Sequence, residues 1–531
     1  MMTMSSLQKE RMDYKPKLPP LFERATSLAT RPAPIAKVEA GSEVKQQFKH
    51  TSNGSFLNFV ESNERYVALP LRIGVVLSGG QAPGGHNVIA GIFDAIKKIH
   101  PDSVLIGFLG GPSGMVNNKS IEITAPLLHD YRNQGGFDLL GSGRTKIETP
   151  EQFESVEQNV TGLGLNGLVI IGGDDSNTNA AFLAEYFRAK EIPVTVVGVP
   201  KTIDGDLRSE HIEISFGFDT ACKVYSEFIG NVLKDALSQR KYYFFIKLMG
   251  RSASHITLEC ALKTHPNLAL LGEEVAALDL SLHMIVDQIV EMIVKRAQQG
   301  KDYGVVLIPE GLLEFIPEMK QMFHELNSAL AQGAFDQSVL SPESAKLFKS
   351  LPPSIQEQIL LDRDPHGNVQ VSKIETESLF IKLVQQELQK KAKEGTYKGK
   401  FNPQPLFCGY EGRSALPSNF DSNYCYTLGY AAAHLVNNLA TGYMACVKHL
   451  SQPVAKWEVL GVPIYTMVHM EHRGNKTKAV IKKALVELSS SHFKAYQAKR
   501  AAWAYEDDYV SPGPIQFFGP PKFTDSAPLT I

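Results

Sequence analysis

LRIGVVLSGGQAPGGHNVIAGIFDAIKKI, residues 71–99, joins a short apolar run rich in β-branched residues to a helix-compatible stretch through a glycine-rich turn. An apolar run that stops at glycines is typical of a buried parallel strand. The same order recurs along the chain, with strand-like runs at VLIGFLGG (104–111), LNGLVIIGG (165–173), IPVTVVGVP (192–200), YYFFIKLMG (242–250), NLALLGEE (267–274) and YGVVLIPEG (303–311). This alternation predicts an α/β protein, and the number of strands predicts two lobes with largely parallel sheets.

The flanking segments differ in character from these lobes. Residues 1–70 mix prolines with charges and predict an extended N-terminal arm. We assign residues 71–211 to the first lobe and 212–460 to the second, in which a Glu-, Lys-, Gln- and Leu-rich stretch at 312–400 predicts a helical insertion. Residues 461–531 are expected to cross back between the lobes and to end in a proline-rich tail.

The composition excludes several classes of protein. Lys+Arg 54 against Asp+Glu 56 gives a net charge of −2, which leaves no field to attract nucleic acid or an anionic membrane. The five cysteines form no C-x-x-C pair, which argues against disulfides and zinc and fits a reducing compartment. No secretory signal or run of ~18 apolar residues is present. We therefore expect a soluble, cytoplasmic protein that binds neither nucleic acid nor membranes.

The turn SGGQAPGGHN, residues 78–87, is the first candidate site. Glycines allow backbone N–H groups to approach an anion, and the start of the following helix adds a partial positive charge. The turn is neither a Walker A loop nor a G-x-G-x-x-G fingerprint. Phosphate binding and a simple tight turn both remain open from these residues alone.

Two further strand ends carry charged groups. Asp174 and Asp175 follow a Gly-Gly pair, where they predict a Mg²⁺ site that escorts phosphates, although capping of the next helix explains them too. In PKTIDGD, Lys201 can stabilise a moving phosphoryl group, and either Asp204 or Asp206 can accept a proton from an alcohol. A solvated polar loop is the alternative for that segment. The coincidence of the three sites favours a phosphotransferase.

The remaining strand ends supply groups that suit a sugar phosphate. Arg251, Glu310 and the segment 410–413 follow strand-like runs, and arginines make forked contacts to phosphate. Lys241 and Tyr242 begin a strand, so we expect them at the opposite end of the lobe. His86 and His255 are isolated and are expected at helix starts or in the core. The sequence has no G-x-S-x-G elbow, which argues against a serine hydrolase.

Taken together, these motifs resemble the phosphofructokinases. SGGQAPGGHN, GSGR (141–144), GGDDSNTN, PKTIDGD, SFGFDTA, MGRSASHITLECAL, PEG and GYEGR stand in the order of that family. The pair GGDDS and PKTIDGD resembles its pyrophosphate-dependent members of the long-chain class, to which the catalytic β subunit of the plant enzyme belongs. The resemblance implies two Rossmann-like lobes of the phosphofructokinase fold and transfer of phosphoryl from pyrophosphate to fructose 6-phosphate.

The resemblance also implies roles for individual residues. On the donor side, Gly80 and Arg144 would contact pyrophosphate, Asp174 would hold Mg²⁺, and Asp175 and Lys201 would set the choice of donor. Asp175 would place a side chain and a negative charge where the α-phosphate of ATP must pass, and an unpaired carboxylate buried against that phosphate would exclude ATP. Asp204 would accept the proton of the sugar 1-hydroxyl. The fructose 6-phosphate site would comprise Thr202, Ile203, Asp204, Met249, Gly250, Arg251, Glu310, Tyr410, Glu411, Gly412 and Arg413.

Lys241 and Tyr242 match residues that a neighbouring subunit contributes in this family. The resemblance therefore implies a homo-oligomer, at least a dimer, with shared active sites. Two alternatives stand beside this interpretation: an ATP-dependent phosphofructokinase, and a non-catalytic regulatory subunit of the same assembly. The need for a regulatory partner and activation by fructose 2,6-bisphosphate are left open.

Overall fold

The computed structural model describes residues 4–26, 28–62, 69–330, 340–363, 368–473, 476–514 and 520–531. The strands in this part of the chain form a nine-stranded sheet, a four-stranded sheet and a two-stranded hairpin. The prediction of an α/β protein with two sheets is confirmed. The strands, numbered in chain order, are β1 (Leu28–Pro32), β2 (Leu57–Glu61), β3 (Arg72–Leu77), β4 (Val104–Phe108), β5 (Ser120–Ile123), β6 (Gly167–Gly172), β7 (Thr195–Pro200), β8 (Tyr243–Leu248), β9 (Leu268–Ala269), β10 (Gly304–Pro309), β11 (Pro403–Cys408), β12 (Tyr443–Lys448), β13 (Glu458–Pro463), β14 (Val468–Arg473) and β15 (Lys476–Ile481).

The larger sheet has a parallel centre and antiparallel edges. Its strand order is β1-β2-β13-β12-β7-β6-β3-β4-β5. The five strands from β12 to β4 are parallel, whereas β5 at one edge and β13, β2 and β1 at the other pair antiparallel. β6 and β7 are buried along their whole length, as expected for central strands covered on both faces.

The smaller sheet is parallel throughout, in the order β11-β8-β10-β9. Its two central strands, β8 and β10, are buried at every residue. Because β8, β10 and β11 are parallel and in register, their carboxyl ends lie side by side at one edge of the sheet. The three segments that follow them are those expected to bind the sugar phosphate.

Helices cover both sheets, and none in the described ranges is long and apolar enough to cross a membrane. They are α1 (Ser6–Met12), α2 (Pro20–Arg24), α3 (Ser42–Gln47), α4 (Gly85–Ile99), α5 (Pro112–Val116), α6 (Ala125–His129), α7 (Pro150–Gly162), α8 (Asp174–Ala189), α9 (Phe218–Gln239), α10 (His255–Thr264), α11 (Gly272–Ala277), α12 (Leu282–Gln298), α13 (Pro317–Leu330), α14 (Pro342–Ser350), α15 (Pro353–Leu361), α16 (Thr376–Lys393), α17 (Tyr410–Ser414), α18 (Asn419–Asn437), α19 (Ser491–Tyr505) and α20 (Pro521–Thr524).

The expected insertion at 312–400 is helical and consists mainly of α13 to α16. Residues 331–339 and 364–367 of it lie outside the described residues. Apolar side chains of these helices share one core with β8, β10 and α12. The insertion therefore covers one face of the smaller sheet.

The topology differs from the sequence-based division of the chain at two places. The N-terminal arm adds β1 and β2 to the edge of the larger sheet, where β2 pairs with β13. Strands β12 and β13 also belong to the larger sheet, although residues up to 460 were assigned to the second lobe. The chain returns to the first lobe earlier, along α18, which packs closely on α4 because Gly91 and Gly429 lack side chains. A Cβ at Gly91 would lie 2.3 Å from the Tyr426 carbonyl oxygen.

Candidate active site

The glycine-rich turn after β3 meets groups from both lobes. Gly79 has φ +84°, and its N–H donates to the Gly143 carbonyl at 2.9 Å. At the next residue, a Cβ on Gly80 would lie 3.1 Å from Arg413 Nη2 and 3.7 Å from Arg144 Nη2. Arg413 is on α17, after the last strand of the smaller sheet, so the two carboxyl edges face one another. The predicted donor loop and part of the predicted sugar site thus form one cleft.

Lys201, at the end of β7, is buried in this cleft and is only 5% exposed. Its Nζ donates a hydrogen bond of 2.6 Å to the Gly80 carbonyl. Burial, together with the charges of Arg413 and Arg144, lowers the pKa of this ammonium to about 8, against the attraction of Asp204 and Asp174. An anionic ligand bound here would stabilise the charged form of this buried lysine.

Repulsion between like charges also acts on Arg144. Partial burial lowers the pKa of Arg144, and the neighbouring guanidinium groups of Arg251 and Arg413 lower it again, while Asp204 opposes them. Arg413 also lies over the Tyr410 ring, with 5.3 Å from its guanidinium carbon to the ring centroid. Arg144 and the two guanidinium groups that act on it form a cationic site suited to phosphate groups.

Asp204 lies in the tight turn after β7, close to these cations. Its N–H donates to Thr202 Oγ1 at 3.1 Å, and Ser215 Oγ donates to the Thr202 carbonyl at 2.9 Å. Gly205 has φ +72°, and a Cβ there would lie 2.8 Å from the Phe218 ring, so the turn requires glycine at this position. The turn holds the Asp204 carboxylate partly exposed to the cleft.

Asp206, two residues further on, is buried and has a different environment. Burial and the charges of Asp204 and Asp174 together raise the pKa of its carboxyl to about 7, although the charge of Lys483 opposes this rise. The two carboxylates of this turn are therefore not equivalent. Asp204 is the more exposed and stands nearer the arginines, which favours it as the proton acceptor.

Asp174 and Asp175 form the first turn of α8, and the two side chains face different surroundings. The side chain of Asp174 is 33% exposed and its Oδ2 lies 3.9 Å from Lys483 Nζ. That of Asp175 is 66% exposed and accepts a 3.0 Å hydrogen bond from Lys146 Nζ. The expectation of an unpaired charge at Asp175 is therefore wrong, because Lys146, two residues after the GSGR motif, neutralises it.

The carboxylates here fit a divalent cation only together with a phosphate ligand. The described segments contain no group of three His, Cys, Asp or Glu side chains that could hold a metal ion. Mg²⁺ is commonly held by one or two carboxylates, with substrate phosphates and water completing its octahedron. Asp174 fits that role, since its exposed carboxylate lies at the edge of the cationic cleft.

The smaller sheet contributes Glu310 and Arg251. Glu310 is 5% exposed and accepts a 3.2 Å hydrogen bond from the Gly250 N–H. Burial and the nearby charge of Asp204 together raise the pKa of Glu310 to about 7, while the charge of Arg251 opposes this rise. Gly250 has φ +123°, a conformation that favours glycine, and the side chain of Arg251 after it is exposed. A buried carboxyl and an exposed guanidinium side by side suit a sugar hydroxyl and a phosphate.

The third strand end, after β11, forms the short helix α17. Tyr410 and Glu411 are exposed, and Gly412 packs so closely on Tyr225 that a Cβ there would lie 2.5 Å from the ring. The Tyr225 hydroxyl donates to the Gly409 carbonyl at 2.5 Å. Met249 N–H joins the ends of β8 and β11 by donating to the Cys408 carbonyl at 3.2 Å. These contacts fix the backbone from which Arg413 reaches the donor loop.

Three residues singled out in the sequence lie away from the cleft of their own chain, as expected: two at the start of a strand and one in the core. Lys241 and Tyr242 stand before the amino end of β8, and the Lys241 ammonium lies 5.0 Å from the Tyr242 ring. His86 is buried at the start of α4, where burial lowers its pKa to about 4. Neither Lys241 nor Tyr242 can reach the Arg251 end of the same strand.

Sequence reasoning missed Lys483, which lies between Asp174 and Asp206. It belongs to residues 461–531, where the sequence shows no glycine turn or strand end to mark it. Its Nζ donates to Ser252 Oγ at 2.8 Å. Only the path of the chain across the cleft brings this lysine to the carboxylates.

The phosphofructokinase family profile matches residues 72–436, more than half of the chain. The chain belongs to the phosphofructokinase family. Within this family, a protein of Arabidopsis thaliana named pyrophosphate–fructose 6-phosphate 1-phosphotransferase subunit beta 2 is 51% identical over 523 residues, which cover 97% of this chain and 92% of the relative. The pyrophosphate–fructose 6-phosphate 1-phosphotransferase of Porphyromonas gingivalis is 50% identical over 543 residues, covering 100% and 99% of the two chains.

The fold of the family is also found among solved structures. The crystal structure of a pyrophosphate-dependent phosphofructokinase from Nitrosospira multiformis aligns with a TM-score of 0.55, covering 86% of this chain and 97% of that one. The sequence identity in this alignment is 16%, so the likeness concerns the fold alone. The predicted phosphofructokinase fold is confirmed.

Proposed function

We propose that the chain transfers a phosphoryl group reversibly from pyrophosphate to the 1-hydroxyl of fructose 6-phosphate, giving fructose 1,6-bisphosphate and phosphate. The observation that carries the proposal is the buried Lys201 ammonium on the Gly80 carbonyl, among Arg144 and Arg413 and beside Asp204. The names of relatives that match along nearly the whole chain support the same activity.

The donor would lie against the turn that follows β3. Gly79 and Gly80 leave room for an anion close to the backbone, and Arg144 and Lys201 supply positive charge on two sides. Phosphoryl transfer is accelerated chiefly by positioning and by stabilisation of charge on the moving group, which is the role of Lys201 here. Asp174 would hold Mg²⁺, which when bound neutralises charge on the phosphates.

The acceptor would lie against the carboxyl edge of the smaller sheet. Arg413 and Arg251 would bind its phosphate and reacting groups, and Glu310 would accept from a sugar hydroxyl. Thr202 and Ile203 shape the turn that presents Asp204, which takes the proton from the 1-hydroxyl as the oxygen attacks. In the reverse direction the same carboxyl returns that proton.

The choice of donor would depend on Lys201 and Asp175. Lys201 places a cation where the transferred phosphoryl group of pyrophosphate would lie. Asp175 occupies space and carries charge at the mouth of the cleft, where a nucleoside would have to pass. Because Lys146 pairs with Asp175, we attribute less of the discrimination to its charge than to its side-chain volume.

The complete site would require a second subunit. Lys241 and Tyr242 lie at the far end of β8 from Arg251, and Lys241 is exposed there. We propose that this pair completes the sugar-phosphate site of a neighbouring copy in a homo-oligomer.

All five cysteines are free and buried, which supports a reducing, cytoplasmic location.

The experiment is a ³¹P NMR assay of the purified chain, without any other protein, in Mg²⁺ and fructose 6-phosphate. With pyrophosphate added we expect inorganic phosphate and fructose 1,6-bisphosphate in equal amounts, and the reverse conversion when the products are supplied. Turnover with ATP alone would identify an ATP-dependent enzyme. Absence of turnover with either donor, together with binding of fructose 6-phosphate, would identify a regulatory subunit.

A further inference from the structure

Residues 481–486, which we name the crossing segment, join both halves of the active site. From the side of the larger sheet, the Ile481 N–H donates to Thr178 Oγ1 on α8 at 3.3 Å. From the catalytic turn, the Asp206 carbonyl accepts from the Ala484 N–H at 2.7 Å. On the side of the smaller sheet, Glu273 accepts from the Val486 N–H at 2.9 Å. The segment is thus held on three elements that surround the cleft.

The side chain of Lys483 points from this segment into the cleft. Its Nζ lies 3.9 Å from Asp174 Oδ2 and 3.9 Å from Asp206 Oδ2, and it donates to Ser252 Oγ at 2.8 Å. Within the described ranges, no other lysine, arginine or histidine nitrogen is within 4.0 Å of either carboxylate. Ser252 follows Arg251, so the Lys483 ammonium links Asp174 at the start of α8, Asp206 in the turn after β7, and the segment after β8.

Without this ammonium, the edge of the cleft beside Asp174 would be negative. Asp174, Asp204 and Asp206 are close enough for their charges to influence one another. Lys201 donates its hydrogen bond to the Gly80 carbonyl and attracts Asp174 and Asp204 only at longer range. A pyrophosphate that approached Asp174 would meet repulsion from the carboxylates unless a second cation neutralised them.

We propose that Lys483 is a further positioning residue of the reaction: it neutralises and orients Asp174 and Asp206, so that the edge they form accepts a magnesium-bound pyrophosphate. The inference rests on the proposed function. We expect the effect of Lys483 to fall on the donor half-site, because its charge pairs with Asp174 and Asp206, whereas its contact on the sugar side is with the neutral hydroxyl of Ser252.

The test compares Lys483→Met, Lys483→Arg and Lys482→Met in the full-length chain. Methionine keeps the aliphatic stem and removes the charge, and exposed Lys482 provides the same charge change one residue away. For Lys483→Met we expect kcat/KM for pyrophosphate to fall about 10- to 100-fold, the effect typical of losing a charged contact. Lys483→Arg should retain most of the activity, and Lys482→Met should stay within about twofold of the wild type.

Calorimetric binding provides a readout that does not depend on turnover. Lys483→Met should weaken binding of magnesium pyrophosphate and leave the affinity for fructose 6-phosphate unchanged. Asp206→Asn in the Lys483→Met background should cost less than the two single changes together, because it removes one of the uncompensated charges. That coupling is expected only if Lys483 acts through the carboxylates.

Several results would overturn the inference. It would fail if Lys483→Met used pyrophosphate as well as the wild type does, or if Lys482→Met lost as much activity as Lys483→Met. It would also fail if Lys483→Met lost fructose 6-phosphate binding in parallel, since that would show a merely structural role. A wild type that neither binds nor uses pyrophosphate would instead refute the proposed function, and the inference with it.

Discussion

At the end of β7, Lys201 combines near-complete burial with a position among other cations. The pKa of its ammonium is lowered to about 8, first by burial and then by Arg413 and Arg144. The charged form is therefore present below that pH and is lost as the pH rises above it. A bound phosphate would stabilise the charged form, so the free protein is the state in which this titration is visible.

A pH profile tests this role of Lys201. We expect kcat/KM for pyrophosphate, which reports groups of the free enzyme, to fall above about pH 8 by up to tenfold per unit. Arginine stays charged throughout, so Lys201→Arg should move this decline to higher pH. A decline at the same pH in Lys201→Arg would assign the titration to another group or to the donor itself.

Asp204 and Asp206 differ in burial, and this difference predicts different effects of the same substitution. Asp204→Asn removes the proposed base and should lower kcat about 10²- to 10⁴-fold in both directions, with a much smaller change in KM for fructose 6-phosphate. Steady-state kinetics of Asp204→Asn and Asp206→Asn compare the two positions. Near-normal turnover in Asp204→Asn would shift the assignment to Asp206.

Residues at strand ends were the ones that the sequence revealed. Lys201, Asp204 and Glu310 follow apolar runs directly, and parallel strands bring their carboxyl ends to one edge. Lys146 and Lys483 lie in irregular segments, and their contacts depend on how distant parts of the chain are placed. No local pattern marks such residues, because a lysine in a loop is ordinarily a solvated one.

At the scale of elements, most of the buried parallel strands were predicted, whereas β12, β13 and the short strands β1 and β2 were not. β6 and β10 are central and buried on both faces, so their sequences are continuously apolar. β1 and β2 (LATRP and LNFVE) are short, mixed edge strands that pair antiparallel, and they show neither pattern. Their place in the sheet is determined by the partner strand β13, which lies some 400 residues away along the chain.

The C-terminal tail was expected to be irregular, and its last residues are anchored by buried charges. The N–H groups of Leu529 and Thr530 donate to Glu259 at 2.9 and 3.0 Å. Arg208, four residues after Asp204, donates to the Thr530 carbonyl at 2.9 Å. Glu259 is fully buried and pairs with Lys263 at 3.0 Å. The tail thus completes a charged cluster directly behind the catalytic turn.

Removal of residues 524–531 should therefore destabilise the protein. Each hydrogen bond to a charged group contributes roughly 1.5 to 3 kcal/mol, so the loss of these three should lower the free energy of unfolding by about 5 to 9 kcal/mol. Urea denaturation followed through the two buried tryptophans, Trp457 and Trp503, measures this. Leu529→Ala, at a half-exposed side chain, is the control and should change it little. A deletion that unfolds like the wild type would contradict the anchoring role.

At the scale of the whole molecule, the proposed shared site depends on the length of β8. The strand has six residues, so its ends lie about 20 Å apart at ~3.3 Å per residue. One cleft cannot use both Arg251 at one end and Lys241 at the other. The proposed shared site would give a role to Lys241 and Tyr242 at the start of this strand.

Subunit mixing tests the shared site. Lys241→Ala and Asp204→Asn should each be nearly inactive as homo-oligomers. After dissociation and reassembly together, some sites should combine an intact Asp204 with an intact Lys241 from the neighbour and regain activity. No recovery in verified hetero-oligomers would show that each chain uses only its own residues.

The choice between pyrophosphate and ATP is the central claim, and kcat/KM for each donor at saturating fructose 6-phosphate tests it most directly. We predict that the wild type strongly prefers pyrophosphate. Lys201→Gly should lower kcat/KM for pyrophosphate by about 10²- to 10³-fold, and Asp175→Gly should raise use of ATP, modestly because Lys146 already pairs with Asp175. A wild type that prefers ATP, or a Lys201→Gly variant that uses pyrophosphate as well as the wild type does, would contradict the account.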